Sequence, residues 1–194
     1  DAQEAGRLGP GRIVQVISGK KDAYALTRAK THGIPSIVIS REDWPDPGDR
    51  SRAILSALRA SATALVVLAG YMNVLSPEVV QAYKGRMVNI HPALIPRHCG
   101  MGMYGMRVHR SVIEAGDAES GATVHLVDEG VDTGRILRQE AVPVMPEDTP
   151  ESLAARVLSA EHRILPQAVA ALAEALESNK NPWRPEGSPF HRNR

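Results

Sequence analysis

The sequence has little cysteine, few aromatic residues and almost no net charge. Its single cysteine, Cys99, cannot form an internal disulfide, which is typical of a reducing compartment. The 23 Lys and Arg residues nearly balance the 22 Asp and Glu residues, whereas a nucleic-acid binder usually carries a strong basic excess. No apolar run reaches the roughly 18 residues of a membrane span, and residues 1–11 lack the apolar core of a signal peptide. We therefore expect a cytoplasmic protein that binds neither nucleic acid nor membrane.

Several catalytic signatures are also missing. The sequence contains no GxxxxGK[ST] and no GxSxG motif, which argues against P-loop nucleotide hydrolysis and α/β-hydrolase chemistry. None of the seven histidines has HExxH spacing, and one cysteine cannot make a thiolate zinc site, so we predict no metal. Gly100–Gly105 has the spacing GxGxxG, but Pro92 and Pro96 separate it from the preceding predicted strand. We interpret it as a glycine-rich loop beside the active cleft rather than as a dinucleotide site.

What the sequence does contain is an alternation of β-branched apolar runs with helical patterns. Strands are predicted at 12–17, 36–39, 64–69, 86–90, 122–127 and 136–144, and helices at 22–32, 49–60, from 76, at 108–115 and at 150–176. Residues 1–6 resemble the end of a further helix, and Pro166 is expected to bend or break the last one. The pattern predicts an α/β fold with a single, mostly parallel twisted sheet and helices on both faces, with 64–69 as a covered central strand. Residues 1–178 form the predicted domain, and 179–194 form a predicted flexible tail.

Asn89 and His91 flank Ile90 at the end of the strand predicted at 86–90. Alternate residues of a strand point to the same face, so the two polar side chains are expected to project together. Ligands of open α/β sheets bind at the carboxyl ends of the strands. An asparagine beside a histidine could stabilise an oxyanion and transfer a proton, as acyl or formyl transfer requires, although the spacing alone favours a structural role.

Asp132 lies in a predicted turn between two strands, Val131-Asp132-Thr133-Gly134. The carboxylate could orient His91 and raise its pKa, or it could bond to its own backbone as turn aspartates often do. The residues alone favour the turn role and leave both interpretations open.

The segment Asn89–Pro96 (NIHPALIP), followed downstream by Asp132, resembles the phosphoribosylglycinamide formyltransferases of purine biosynthesis. The similarity runs nearly the whole length, through VISGKKDAYALTRAKTHGIP, VLAGYMNVLSPEVVQAYKGRMVNIHPALIP, GATVHLVDEGVDTGRIL and LAARVLSAEHRILP. It implies the formyltransferase fold and transfer of a formyl group from 10-formyltetrahydrofolate, a co-substrate, to the amine of glycinamide ribonucleotide. It leaves open whether the protein is a monomer or a homodimer.

The resemblance also implies roles for particular residues. His91 would act as general acid, Asn89 would hold the formyl oxygen, and Asp132 would keep His91 protonated. The folate would be bound by a set of residues that follows the central strand and by a second set in the Asp132 turn, with Asn89 between them: Met72, Asn73, Val74, Leu75, Asn89, Asp128, Glu129, Gly130, Val131 and Asp132. The ribonucleotide would meet Leu158, Ser159, Ala160 and Glu161, with Glu161 on the ribose hydroxyls.

The sequence departs from the family pattern in three places. Family members commonly carry arginine at the position of Asn73, and the stretch Gly100–Met106 is longer than the corresponding loop in many members. The family's first strand and its Gly-Ser-Asn phosphate loop are not found in this sequence, whose residues 12–17 correspond to the family's second strand. Because such loops bind phosphate through backbone N–H groups, we expect weakened ribonucleotide binding and retained folate binding.

Three alternatives stay open at this point. Formyltetrahydrofolate deformylase and the catalytic domain of methionyl-tRNA formyltransferase look similar around Asn-x-His, but each usually carries an additional domain. A folate-binding remnant without turnover would fit a missing phosphate loop. A nicotinamide oxidoreductase would depend on Gly100–Gly105 alone.

Overall fold

The computed structural model describes residues 1–178, so the tail predicted at 179–194 lies outside the described residues. The strands are β1 (Val16–Ser18), β2 (Ser36–Val38), β3 (Val66–Ala69), β4 (Met87–His91), β5 (Glu119–Leu126) and β6 (Ile136–Pro143). The helices are α1 (Tyr24–Thr31), α2 (Pro47–Ala60), α3 (Pro77–Ala82), α4 (Met106–Glu114) and α5 (Pro150–Glu177). The predicted α/β class is confirmed, while residues 2–10 form turns instead of the end of a helix.

The helix boundaries follow local capping chemistry. Helix α2 starts two residues earlier than predicted because the Asp46 side chain accepts a hydrogen bond from the Asp49 N–H and Pro47 occupies the first turn. Helix α1 was predicted from residue 22 and starts at Tyr24, with Ala23 at the N-cap. Such shifts of one or two residues are expected, because pattern alone locates the apolar face better than the ends of a helix.

The expected single sheet is, within residues 1–178, divided into two hydrogen-bonded sheets. Strands β1 and β2 pair in parallel, and a second sheet has the order β3-β4-β5-β6. In the larger sheet β3 and β4 are parallel, whereas β4–β5 and β5–β6 are antiparallel. The link between β5 and β6 is only residues 127–135, too short for the crossover that a parallel pair needs.

A groove of about 2750 Å³ separates the two sheets, and both β1 and β3 line it. Neighbouring strands must lie about 4.8 Å apart to share hydrogen bonds, so the groove explains why β1 and β3 belong to different sheets. It also corrects the expectation that residues 64–69 form a strand covered on both faces, because Val67 on β3 remains 39% exposed.

Two apolar clusters cover opposite faces of β4. Val88 and Ile90 pack in the cluster that includes the buried face of α5, whereas Met87 packs with α2 and α3. Since side chains alternate along a strand, Asn89 and His91 share the face of Met87 and lie at its carboxyl end. The predicted same-face arrangement of Asn89 and His91 therefore follows from the packing of β4.

Helix α5 continues through Pro166 over 28 residues, so the expected break does not occur. Buried residues on both sides of the proline, Ile164, Ala168 and Leu172, pack in the same cluster against the sheet. Proline removes one backbone hydrogen bond, and burial of this apolar face outweighs that loss. Across residues 1–178, no helix combines the length and hydropathy required to cross a membrane.

Candidate active site

His91 is the last residue of β4 and is 4% exposed. Its Nε2 lies 2.9 Å from the backbone carbonyl oxygen of His98, and its Nδ1 lies 3.6 Å from Oδ2 of Asp132. A carbonyl oxygen can only accept, so Nε2 is the donor in the first contact. This leaves Nδ1, which faces the carboxylate, as the nitrogen that can exchange a proton with a ligand.

Asp132 lies in the link between β5 and β6 and has a φ of +59°, a left-handed conformation that aspartate tolerates better than most residues. Its Oδ2 accepts a 3.0 Å hydrogen bond from the Gly100 N–H, and its Oδ1 lies 3.5 Å from the Asn89 amide nitrogen. The structure therefore brings together Asn89, His91 and Asp132, the three residues predicted to be catalytic, from one strand and a turn.

The pKa of Asp132 is lowered overall. Burial works to raise it, but hydrogen bonds from His125 and from the Gly100 N–H, together with the positive charge available on His91 and His125, outweigh the burial effect. Asp132 therefore stays ionised well into the acidic range and supplies a fixed negative charge beside the histidines.

His125 belongs to this site and was missed by sequence reasoning. It lies on β5 directly opposite Asn89, and its Nε2 is 3.2 Å from the Asn89 amide nitrogen and 3.4 Å from Oδ1 of Asp132. Its Nδ1 donates to the Leu126 carbonyl oxygen at 2.8 Å, which sets the orientation of the ring. The signal that could have found His125 is the pairing of β4 with β5, and pairing register is not visible in a single sequence.

Another histidine, His109 on α4, is buried close enough to His91 for the two rings to interact electrostatically. Burial, and secondly the charge of His91, lower the pKa of His109. His109 is therefore neutral at physiological pH and adds no positive charge beside His91.

The predicted folate residues that follow β3 lie at the rim of the groove. Met72, Asn73 and Leu75 line it, and a side chain at Gly105 would come within 4.0 Å of Met72 Cε. Met72, Asn73 and Val74 are exposed, whereas Leu75 packs in the apolar cluster with α2 and α3. The exposed members are available to a ligand through side chain and backbone, and Leu75 through its backbone.

The second predicted folate set, Asp128–Asp132, forms a compact turn. Asp128 accepts hydrogen bonds from the Gly130 N–H at 3.1 Å and from the Thr133 hydroxyl at 2.6 Å, and Glu129 contacts Gln81. These bonds engage the Asp128 side chain within the turn, so its shape, and with it the place of Asp132, is set locally.

The predicted ribonucleotide residues lie on α5. Leu158 lines the groove and is exposed, Ser159 is exposed, and Ala160 is buried in the apolar cluster. Glu161 is partly buried, and burial raises its pKa. The structure thus places Leu158 in the lining of the same groove as Met72 and Asn73, while Ala160 faces the protein core.

The chain is similar over most of its length to known proteins. Residues 1–169 match the family model described as formyl transferase. The chain is 43% identical over 166 residues to phosphoribosylglycinamide formyltransferase of Haemophilus influenzae, an alignment that covers 86% of this chain and 76% of that protein. It is 40% identical over 185 residues to the chloroplastic phosphoribosylglycinamide formyltransferase of Arabidopsis thaliana, covering 95% of this chain but spanning only 62% of the Arabidopsis protein.

Solved structures show the same relationship. Glycinamide ribonucleotide transformylase 1 from Symbiobacterium toebii superimposes with a TM-score of 0.84 at 39% identity, covering 90% of this chain and 80% of that one. Phosphoribosylglycinamide formyltransferase from Bacillus halodurans superimposes with a TM-score of 0.82 at 34% identity, covering 95% and 90%. At these levels of identity the likeness extends to sequence as well as to fold.

Proposed function

The chain belongs to the formyl transferase family, and from that premise we propose that it transfers a formyl group from 10-formyltetrahydrofolate to the amine of glycinamide ribonucleotide. The observation that carries the proposal is the cluster of Asn89, His91, His125 and Asp132 at the carboxyl end of β4. Relatives named phosphoribosylglycinamide formyltransferase support the choice of substrates.

The reaction joins the ribonucleotide amine to the formyl carbon and separates that carbon from folate N10. The amine nitrogen of the ribonucleotide attacks the formyl carbon, and a tetrahedral intermediate with a negative oxygen forms. The intermediate collapses when the bond between the formyl carbon and folate N10 breaks, and the amine loses one proton while N10 gains one. Formylated ribonucleotide and tetrahydrofolate are the balanced products.

Three side chains of the cluster have roles in these steps. The Asn89 amide can donate a hydrogen bond to the developing oxyanion, a contribution that is typically worth 10²–10³-fold in turnover. His91 Nδ1 can carry the proton destined for the departing nitrogen, since Nε2 already donates to the His98 carbonyl. The Asp132 carboxylate stabilises positive charge on the ring that it faces.

Members of both predicted substrate sets, Met72 and Asn73 for folate and Leu158 for the ribonucleotide, line the groove, whereas none of the four cluster residues does. Exposed apolar side chains such as Met72 and Val74 offer a surface for the flat pterin ring.

The proposal is tested by incubating the full-length protein with both substrates and identifying the products by mass spectrometry. Formylated ribonucleotide should form only when both substrates are present, and His91→Ala should lower turnover by about 100-fold or more. The matched control is His32→Ala, which removes a histidine that contacts Glu4 near the N-terminus and should leave turnover unchanged. Release of formate without ribonucleotide would indicate a deformylase, and folate binding without any turnover would indicate a remnant. Either result would overturn the proposal.

A further inference from the structure

We propose that His98 is a positioning residue whose side chain, anchored by Ser111 and Asp117, holds the backbone that orients His91 and Asp132. The proposal rests on the proposed formyl transfer, because it assigns a role within the same site. It concerns a side chain that contacts neither predicted substrate set.

The backbone of residues 98–100 contacts both members of the charged pair. The His98 carbonyl oxygen accepts from His91 Nε2 at 2.9 Å, and the Gly100 N–H donates to Asp132 Oδ2 at 3.0 Å. The first contact determines which ring nitrogen of His91 carries a hydrogen and how the ring is rotated. The second contact directs Asp132 Oδ2 towards His91 Nδ1. A shift of this short segment would therefore disturb both groups at once.

The His98 side chain ties that segment to α4. Its Nδ1 lies 2.7 Å from the Ser111 hydroxyl on α4, and its Nε2 lies 2.9 Å from Oδ2 of Asp117, three residues beyond the end of α4. The carboxylate can only accept, so Nε2 donates in that pair. With 15% of the side chain exposed, both ring nitrogens are engaged in a largely dry environment where such bonds are strong.

The backbone at His98 needs such an anchor. Its φ of +51° lies in the left-handed region, which residues other than glycine, asparagine, aspartate and histidine rarely adopt. A strained conformation persists only where surrounding contacts impose it. The two hydrogen bonds of the imidazole are contacts of that kind, and they aim the His98 carbonyl at His91.

The grouping of Ser111, His98 and Asp117 has the residue types of a hydrolytic triad, but its geometry favours an anchor. The Ser111 hydroxyl also lies 3.0 Å from the Val108 carbonyl oxygen of its own helix, so it is engaged on two sides and only partly exposed. A nucleophile needs a free approach for its substrate.

The test compares Ser111→Ala, Asp117→Ala and the double variant with wild type. The variants leave His98 and its backbone preference in place and remove its anchors, and Asp117→Ala also removes the ion pair with Arg97. The double variant should lower kcat by about 10–100-fold, as loss of positioning does, while KM for each substrate changes less than about twofold. The matched control is Arg97→Ala, which removes the exposed ion pair of Asp117 at 3.1 Å and leaves the His98 contacts. It should retain wild-type kcat.

A second measurement is independent of turnover. The ¹⁵N chemical shifts of the His91 ring should report hydrogen on Nε2 in wild type and a mixture of tautomers in the double variant. Unchanged kcat in the folded double variant, or lowered kcat with unchanged His91 shifts, would overturn the proposal, because the anchor would then serve folding alone. If wild type fails to formylate the ribonucleotide, the proposed function fails, and the His91 shifts still decide whether His98 positions that ring.

Discussion

Replacing Asp132 by asparagine removes the one negative charge that lies between His91 and His125. The carboxylate oxygens are 3.6 Å from His91 Nδ1 and 3.4 Å from His125 Nε2. A pair of unit charges near 4 Å interacts with about 4 kcal/mol at an effective dielectric constant of about 20. Asparagine keeps one oxygen that can accept the Gly100 N–H, so we assign about half of that energy, roughly 2 kcal/mol, to the lost charge. The expected loss in kcat is then about 30-fold.

The same variant should change how stability depends on pH. Because the pKa of Asp132 is lowered in the folded protein, its ionised form stabilises the fold at pH values above the ordinary aspartate range. That contribution is lost as pH falls through the lowered folded value. The difference in unfolding free energy between wild type and Asp132→Asn should therefore shrink on acidification below about pH 4.

The assay is steady-state formyl transfer near neutral pH, with urea unfolding at a series of pH values on the same preparations. The control is Asp49→Asn, which neutralises an exposed aspartate paired with Arg52 on α2 and should leave kcat unchanged. A folded Asp132→Asn protein with wild-type kcat would refute the electrostatic argument. So would a stability difference that stays constant through the acidic range.

Two further predictions concern α5. Burial raises the pKa of Glu161, so between the ordinary and the raised pKa the folded state binds more protons than the unfolded state. The free energy of unfolding of wild type should therefore fall as pH rises through that range. Glu161→Gln should flatten this pH dependence in urea titrations from pH 4 to 8, and identical curves for the two proteins would contradict the prediction. Leu153→Ala removes a fully buried side chain and should cost about 2–5 kcal/mol, lowering Tm by roughly 5–15 °C in calorimetry. Leu158→Ala, on the exposed side of the same helix, should cost far less, and equal losses would refute the assigned packing.

The local pattern was sufficient wherever one side chain or one period decides the structure. The Asn-x-His spacing placed Asn89 and His91 on one face because a strand has a period of two, and this required no knowledge of neighbouring strands. Of the bend or break expected at Pro166, the break does not occur, because the tertiary packing of α5 offsets the local penalty of the proline.

The groove beside β3 is a feature that the hydropathy pattern of the sequence did not predict. The apolar run 64–69 predicted a covered central strand, and hydropathy alone could not reveal that β3 borders an open groove. Whether two strands pair depends on their separation in space, which a pattern along the chain does not encode. The division into two sheets is therefore a tertiary result.

By itself the sequence determined the order of helices and strands through local periodicity, and the family resemblance of its motifs singled out Asn89, His91 and Asp132. Only the tertiary structure decided that His125 completes the cluster and that His98, through Ser111 and Asp117, supports it. These residues come from separate strands, turns and helices. Their contacts depend on strand register and on the docking of α4, which are determined by packing of the whole chain rather than by any local stretch.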